Sequence, residues 1–471
     1  MKIMRKVNLN RRQFLGFAGS AGLFGLAGCK GFPAITSVRS PNGLLRHAAI
    51  GCGGKGYSDL QELETHKGIE LAAFCDVDTD RLVPWRKKYP NAHFYQDWRE
   101  LLAEEGDRID SVNISAPDHH HINMAVASMR CGKHVYLQKP MAKTMQEAAF
   151  LRQVAAEEGV VTQMGTQYCA YASDRQVVEM LRDRTLGPVE KVFLFSTRKG
   201  LSRRRRLLPK LAPVPKSLDW EIWLGSAAYR PYAEGVYHPL IWRIWRDLGS
   251  GWIGDIGCHL IAAVWRGMDL GGTAPKDVWA ETITDADDGV KDLVWPTTAH
   301  IKWHFDGVPA SGARPFEFEW FDGCSEKDNL APAGFRPPAE IDALFAKSVF
   351  KSRPHEGKAV KCRDGWILQP HGAPNACALR NDGTEVKVPG VPNVASHYHE
   401  FIDCCFVNRE ATTDFAWSTY MRECVIAGEI AERLPGTTLR WDAAKRCFDN
   451  PVANGFLTRP YRKGWEVPGL G

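Results

Sequence analysis

The sequence predicts an α/β protein with two parts: an N-terminal, doubly wound parallel sheet, and a C-terminal α+β part built on a mainly antiparallel sheet. Three observations carry this. Apolar runs alternate with helical stretches from His47 to about Gly165, which is the pattern of a parallel sheet with crossover helices. Beyond Gly165 the runs alternate apolar with polar residues, as in antiparallel strands with one covered face. A glycine loop closes the first apolar run.

In order, His47–Ile50 reads as the first strand, Tyr57–His66 as a helix, Ile69–Cys75 as the second strand and Thr79–Lys88 as a helix. Ser111–Ser115 is a further buried strand, followed by a helix over His121–Cys131 and a strand over His134–Leu137. In the second part, strands are predicted at Glu190–Thr197, Val278–Thr284, Ala299–Phe305 and Pro315–Phe321. Helical stretches Ser396–Asn408 and Trp417–Arg433 precede the tail.

The loop Gly51-Cys52-Gly53-Gly54-Lys55-Gly56 lies between a strand and a helix, and Asp76 ends the second strand. Glycine is needed there for a tight turn, close backbone approach to a pyrophosphate and close helix packing. A carboxylate at the second strand tip accepts the adenosine ribose hydroxyls and repels a 2′-phosphate, so NAD is expected in preference to NADP. Ser115-Ala116-Pro117 ends another strand at the same sheet edge, where ligands of such folds bind.

The first residues read as a targeting segment. Arg11-Arg12 precede an apolar, glycine-rich stretch to Ala27, which looks like a twin-arginine export signal, and Leu26-Ala27-Gly28-Cys29 resembles a lipobox with Cys29 as the lipidated residue. The stretch is short for a membrane span. The expected divisions are 1–28 signal, 29–45 tether, 46–165 nucleotide domain and 166–471 substrate domain. The net charge of +5 is matched by Lys2, Arg5, Lys6, Arg11 and Arg12 of the signal, so nothing calls for nucleic acid as a partner. The 13 cysteines show no zinc spacing and no disulfide framework, so neither a structural metal nor bridging is expected.

Three groups could carry chemistry. Gln138-Lys139-Pro140 ends a strand of the nucleotide domain, pointing Lys139 at the crevice. Asp255 and His259 are four residues apart, on one face of a helical turn. Tyr237, His238, Trp242 and Arg243 precede them in a tryptophan-rich segment suited to stacking on a sugar face. His119-His120-His121 could suggest a metal, but consecutive side chains do not converge on one ion, and His121 is assigned to the nicotinamide crevice. Arg203–Arg206 reads as a solvated loop.

These motifs, in this order, resemble the Gfo/Idh/MocA family (glucose-fructose oxidoreductase, inositol 2-dehydrogenase and relatives), with a match from about His47 to the C-terminal region. Leu218-Asp219-Trp220, Trp223-Leu224-Gly225 and Arg440-Trp441-Asp442 are similar to exported members with twin-arginine signals. The resemblance implies a Rossmann domain joined to a large, open, mainly antiparallel sheet. It also implies a hydride transfer in which His259 takes the hydroxyl proton of a sugar or polyol, Lys139 stabilises the oxygen, and Asp255 orients the substrate or the imidazole. One departure stands out: Gln138 occupies the place where the family usually has Glu, which removes a negative charge beside the lysine. Two other outcomes remain open, an NAD-dependent glycoside hydrolase that returns the hydride and a non-catalytic sugar-binding lipoprotein. The expected partners are a carbohydrate, the twin-arginine export machinery, a membrane reached only through the lipid, and a second copy of the chain. The expected location is the periplasm or cell envelope.

Overall fold

The structure, a computed structural model, describes residues 43–197, 208–323 and 331–470. The export signal, Cys29 and the run Arg203–Arg206 lie outside these residues.

Two sheets organise the chain. The first is six-stranded and parallel: β1 (Leu45–Ile50), β2 (Ile69–Cys75), β3 (His93–Tyr95), β4 (Ser111–Ile114), β5 (His134–Leu137) and β6 (Thr162–Met164) in the order β3-β2-β1-β4-β5-β6. The strand order reverses between β1 and β4, so their carboxyl ends diverge and leave a crevice. β1 and β4 are buried throughout their lengths apart from Arg46, as strands covered on both faces must be. His47 is accommodated inside by hydrogen bonds to Ser111 Oγ (2.7 Å) and Asn113 Oδ1 (3.0 Å).

The second sheet has ten strands: β7 (Val189–Ser196), β8 (Asp277–Ile283), β9 (Thr298–Phe305), β10 (Phe316–Asp322), β11 (Glu356–Cys362), β12 (Gly365–Pro370), β13 (Cys377–Arg380), β14 (Glu385–Val386), β15 (Leu439–Asp442) and β16 (Cys447–Phe448). Its order is β14-β13-β12-β11-β7-β10-β9-β8-β15-β16. All neighbours are antiparallel except β7 and β10, so the sheet is mixed. One face of β9 and β10, with Ile301, Trp303, Phe305, Phe316, Phe318 and Trp320, packs on helices in the main core.

The helix Phe415–Ala431, longer than any other among the described residues, lies between the two halves. Its Cys424 carbonyl accepts the Trp303 indole N–H (2.9 Å), and a Cβ on Gly428 would come within 2.5 Å of the same indole, so glycine is required for this approach. Arg422 of this helix donates to the Ala142 carbonyl (2.7 Å) just beyond the Lys139-Pro140 strand end, and it pairs with the buried Glu429 (2.5 Å).

Several elements differ from expectation. The stretch Thr79–Lys88 is a 3₁₀ turn (Thr79–Leu82) followed by a helix (Val83–Lys88), because Pro84 cannot continue the preceding hydrogen-bond ladder. Residues 253–257 form a π-helical turn that runs into the α-helix Cys258–Gly267, so Asp255 and His259 do not share a regular α-turn. Short β3 and β6 and the meander β11 to β14 gave no distinct signal in the sequence.

Candidate active site

The carboxyl ends of β1, β2, β4 and β5 open onto a cleft holding about 1230 Å³ of open space, its mouth included. Its floor is the glycine loop. Gly51 has φ +86°, and a Cβ there would lie 2.6 Å from the Ser115 carbonyl oxygen; a Cβ on Gly56 would lie 1.9 Å from the Gly51 oxygen. A side chain at Gly51 or Gly56 could not be tolerated without moving β4 or the helix Lys55–Leu63. Gly54 (φ +53°) stands before that helix with no side-chain cap, and open space replaces its missing Cβ. Uncapped helix N–H groups over an open cradle fit a pyrophosphate.

Asp76 braces this loop. Its Oδ2 accepts the N–H groups of Cys52 (2.8 Å) and Gly53 (3.2 Å), and its Oδ1 that of Asp78 (3.0 Å). Burial raises its carboxyl, against the lowering effect of these hydrogen bonds. A carboxylate has about four acceptor positions, so one is left toward the cleft for a ribose hydroxyl. Arg81, which the sequence reading missed, packs its stem over Gly53 and pairs with Asp78 (3.4 Å).

At the far end Lys139 Nζ donates to the Asp255 carboxylate (2.5 Å) and carbonyl (2.7 Å). Burial alone would raise the Asp255 carboxyl, but the charges of Arg243 and Lys139 outweigh it and hold it down to about 2. Asp255 is thus an anion that orients Lys139 and Arg243; no hydrogen bond links it to His259, which corrects the role of imidazole partner. His259 is kept neutral by burial, with the charge of Lys139 acting in the same direction. Its Nδ1 is buried without a hydrogen-bond partner. The rings of Tyr168 and His371 lie 5.2 and 5.5 Å from it. Neither was singled out from sequence, since they reach the site from separate segments without a motif.

The remaining predicted residues divide. Gly51, Gly53, Gly54, Lys55, Asp76, Ser115, Ala116, Pro117, Gln138 and Lys139 line the cleft, and so do His238, Trp242 and Arg243. His121 instead sits between the Pro140 carbonyl (2.7 Å from Nδ1) and the Ala116 carbonyl (2.9 Å from Nε2), behind the two cleft loops, and as a neutral ring it donates to one of them in each tautomer. His119 and His120 turn to the Trp223 carbonyl, away from His121. Tyr237 packs among Trp220, Trp245 and Arg230 in a separate aromatic core, not at the cleft. Gln138 does leave the lysine without an adjacent carboxylate of its own, but its amide donates to the buried Asp59 (2.9 Å), so a negative charge is present one residue removed.

The fold and this cleft define a nucleotide-binding α/β protein whose chemistry sits where the two halves meet. The NAD-binding Rossmann fold of the GFO_IDH_MocA oxidoreductase family matches residues 45–166, and the C-terminal alpha/beta domain of the same family matches residues 198–306. The chain belongs to that oxidoreductase family. Among curated relatives it is 36% identical over 117 residues to a glycosyl hydrolase family 109 protein of Solibacter usitatus, covering 23% of this chain and 26% of that one. It is 34% identical over 164 residues to an alpha-N-acetylgalactosaminidase of Shewanella oneidensis, covering 30% and 35%. The matches therefore span only about a quarter to a third of these relatives' lengths. The aldose-aldose oxidoreductase of Caulobacter crescentus, solved with glycerol, shares the fold at a TM-score of 0.56 and 17% identity, over 84% of this chain and 99% of that one.

Proposed function

We propose that the protein is an NAD(P)-dependent oxidoreductase that moves a hydride between a secondary hydroxyl of a carbohydrate or polyol and a tightly held nicotinamide cofactor. The observation that carries it is the Lys139–Asp255 contact at the end of a dinucleotide cleft, beside a neutral His259.

The glycine loop and the helix Lys55–Leu63 would hold the pyrophosphate, and Asp76 the adenosine ribose. The chemistry that a bound nicotinamide would supply is reversible hydride acceptance from the alcohol carbon. The His259 imidazole, neutral at physiological pH, takes the hydroxyl proton at a ring nitrogen. The Lys139 ammonium, aimed by Asp255, donates to the same oxygen and stabilises its developing charge. His238, Trp242 and Arg243 offer a ring face and polar groups to the sugar. Tight retention is supported by the wall over the Asp76 end: the N–H of Thr79 donates to the Ser217 carbonyl (2.9 Å), that of Asp219 to the Val77 carbonyl (2.9 Å), and His238 meets Asp78 (3.0 Å).

The curated relatives favour a second reading, a glycoside hydrolase in which oxidation acidifies a neighbouring C–H, elimination expels the leaving group, water adds and the hydride returns. Incubation with a panel of glycosides separates the two. A keto-sugar accumulating with matching nicotinamide reduction supports the dehydrogenase. Reducing sugar released with no net change in nicotinamide absorbance supports the hydrolase. Full turnover by both Lys139→Ala and His259→Ala would overturn either reading.

On the sequence reading, the protein is exported folded by the twin-arginine machinery and anchored in the cell envelope by lipid on Cys29. Radiolabelled fatty acid should enter the mature chain and be lost in Cys29→Ala. Self-association is proposed from the breadth of the ten-stranded sheet, and sedimentation velocity would return a mass above that of one chain.

A further inference from the structure

The three cleft-lining segments of the nucleotide domain converge on one carboxylate that none of the motifs includes. Asp59, on the helix behind the glycine loop, is fully buried. Its Oδ1 accepts from Lys55 Nζ (2.5 Å) and the Tyr398 hydroxyl (2.8 Å), and its Oδ2 from the Ser115 hydroxyl (2.8 Å) and the Gln138 amide (2.9 Å). Lys55 belongs to the glycine loop, Ser115 ends β4, and Gln138 ends β5 immediately before Lys139. Tyr398 comes from the helix His397–Val407 of the C-terminal half and also accepts from Lys55 (2.8 Å).

We propose that Asp59 is a positioning residue for Lys139, and that positions 59 and 138 together carry one negative charge, held at 59. Both oxygens of Asp59 are saturated by four donors, so an acceptor at 138 has no place. The Gln138 amide supplies the needed donor, while its Oε1 faces the Lys139 N–H (3.3 Å). Glycine at 165 makes room for this amide, because a Cβ there would lie 2.7 to 2.8 Å from its Cδ, Nε2 and Oε1. A glutamate at 138 would set two buried carboxylates in contact, and one would have to take up a proton. The other ionisable groups about the site are Lys55 and Glu62 on the same helix, Tyr398 and His397 of the C-terminal half, Tyr136 of β5, and His259, the two histidines being kept neutral chiefly by burial with the Lys55 charge acting the same way. Lys55 is the cation among them and balances a single charge, not two.

The inference rests on the oxidoreductase reading only for its activity measurement. Three full-length variants test it: Gln138→Glu, Asp59→Asn and the double variant Asp59→Asn/Gln138→Glu. Thermal stability and NADH affinity, by fluorescence titration, are followed from pH 5 to 9, and turnover where a substrate is known. Gln138→Glu should keep parental NADH affinity at the acid end and lose tenfold or more as pH rises and both carboxylates ionise. The double variant, with the charge moved to 138 and the donor to 59, should return to a parent-like pH profile and to within about threefold of parental affinity. A parental pH profile in Gln138→Glu, or a double variant no better than Asp59→Asn alone, overturns the proposal. If the charge exchange restores NADH binding while the parent itself turns over no sugar, the activity reading fails and the shared charge stands.

Discussion

Lys139 and Asp255 lie 116 residues apart and meet at 2.5 Å, one at the end of β5 and the other in a π-helical turn of the C-terminal half. Each side chain is largely buried, and Asp255 is neutralised by two cations together, Arg243 at 3.4 Å and the hydrogen-bonded Lys139. The contact brings the two halves into one site and fixes the ammonium at the end of the cleft.

Removing one partner of this pair should therefore be costly in two ways. Lys139→Ala is expected to lower turnover by roughly 10²- to 10⁴-fold and stability by about 3 kcal/mol, since Asp255 keeps only Arg243. Stopped-flow absorbance of NADH formation and urea denaturation measure the two losses separately.

His259→Ala should lower turnover by a similar 10²- to 10⁴-fold but leave NADH affinity within about threefold, because the glycine loop and Asp76 are untouched. Fluorescence titration alongside steady-state rates distinguishes this from a general loss of structure.

Burial holds His47 and His120 down to about 4, His397 to about 3 and His259 well below its ordinary value. In the unfolded chain these groups protonate near pH 6.5, so between that pH and their folded values the unfolded state binds more protons. Stability should thus be complete above about pH 6.5 and fall as the pH drops toward 4, by about 1.4 kcal/mol per pH unit per histidine. Asp255, depressed to about 2, acts in a lower window: its contribution is present above about 4 and is lost toward pH 2. Melting temperatures at half-unit pH steps should show the steep histidine limb first, and His47→Asn should flatten it.

Gly51→Ala places a methyl 2.6 Å from the Ser115 carbonyl at φ +86°. The expected cost is about 1–3 kcal/mol, together with a loss of NADH affinity of at least tenfold as the loop moves away from β4. Gly272→Ala, also at positive φ (+78°) but with nothing near its Cβ, should show only the strain and no change in NADH binding.

The buried Arg422–Glu429 pair supports the Ala142 end of the Lys139 loop and reaches Ser250 ahead of the π-helical turn. Glu429→Gln should destabilise the fold by about 3–5 kcal/mol, and it should also lower turnover because both loops shift. An Arg422→Met/Glu429→Leu double variant should recover much of the stability, as calorimetry would show, without recovering turnover.

Much of the nucleotide half was legible in the chain. Gly51, Gly53, Gly56 and Asp76 announce themselves because a tight turn and a close backbone approach admit few residue types, and the buried strands read as continuous apolar runs. The position of Lys139 followed from its place at a strand end. Tyr237 and His121 show where such reasoning stops: both sit beside motif residues in sequence, yet one is core and the other lies behind two cleft loops. Tyr168, His371 and Asp59 carried no motif and emerged only from contacts between distant segments.

The sequence by itself determined the parallel sheet, the glycine cradle, and the set of residue types available for hydride chemistry, because these depend on local backbone sterics and short-range periodicity. Only the tertiary structure decided which charges face each other: that Asp255 holds Lys139 and leaves His259 alone, and that the charge missing at Gln138 sits on Asp59. Pairings of this kind are set by the packing of segments tens to hundreds of residues apart, where burial makes an unpaired charge too costly to keep and so selects the partners that the fold brings together.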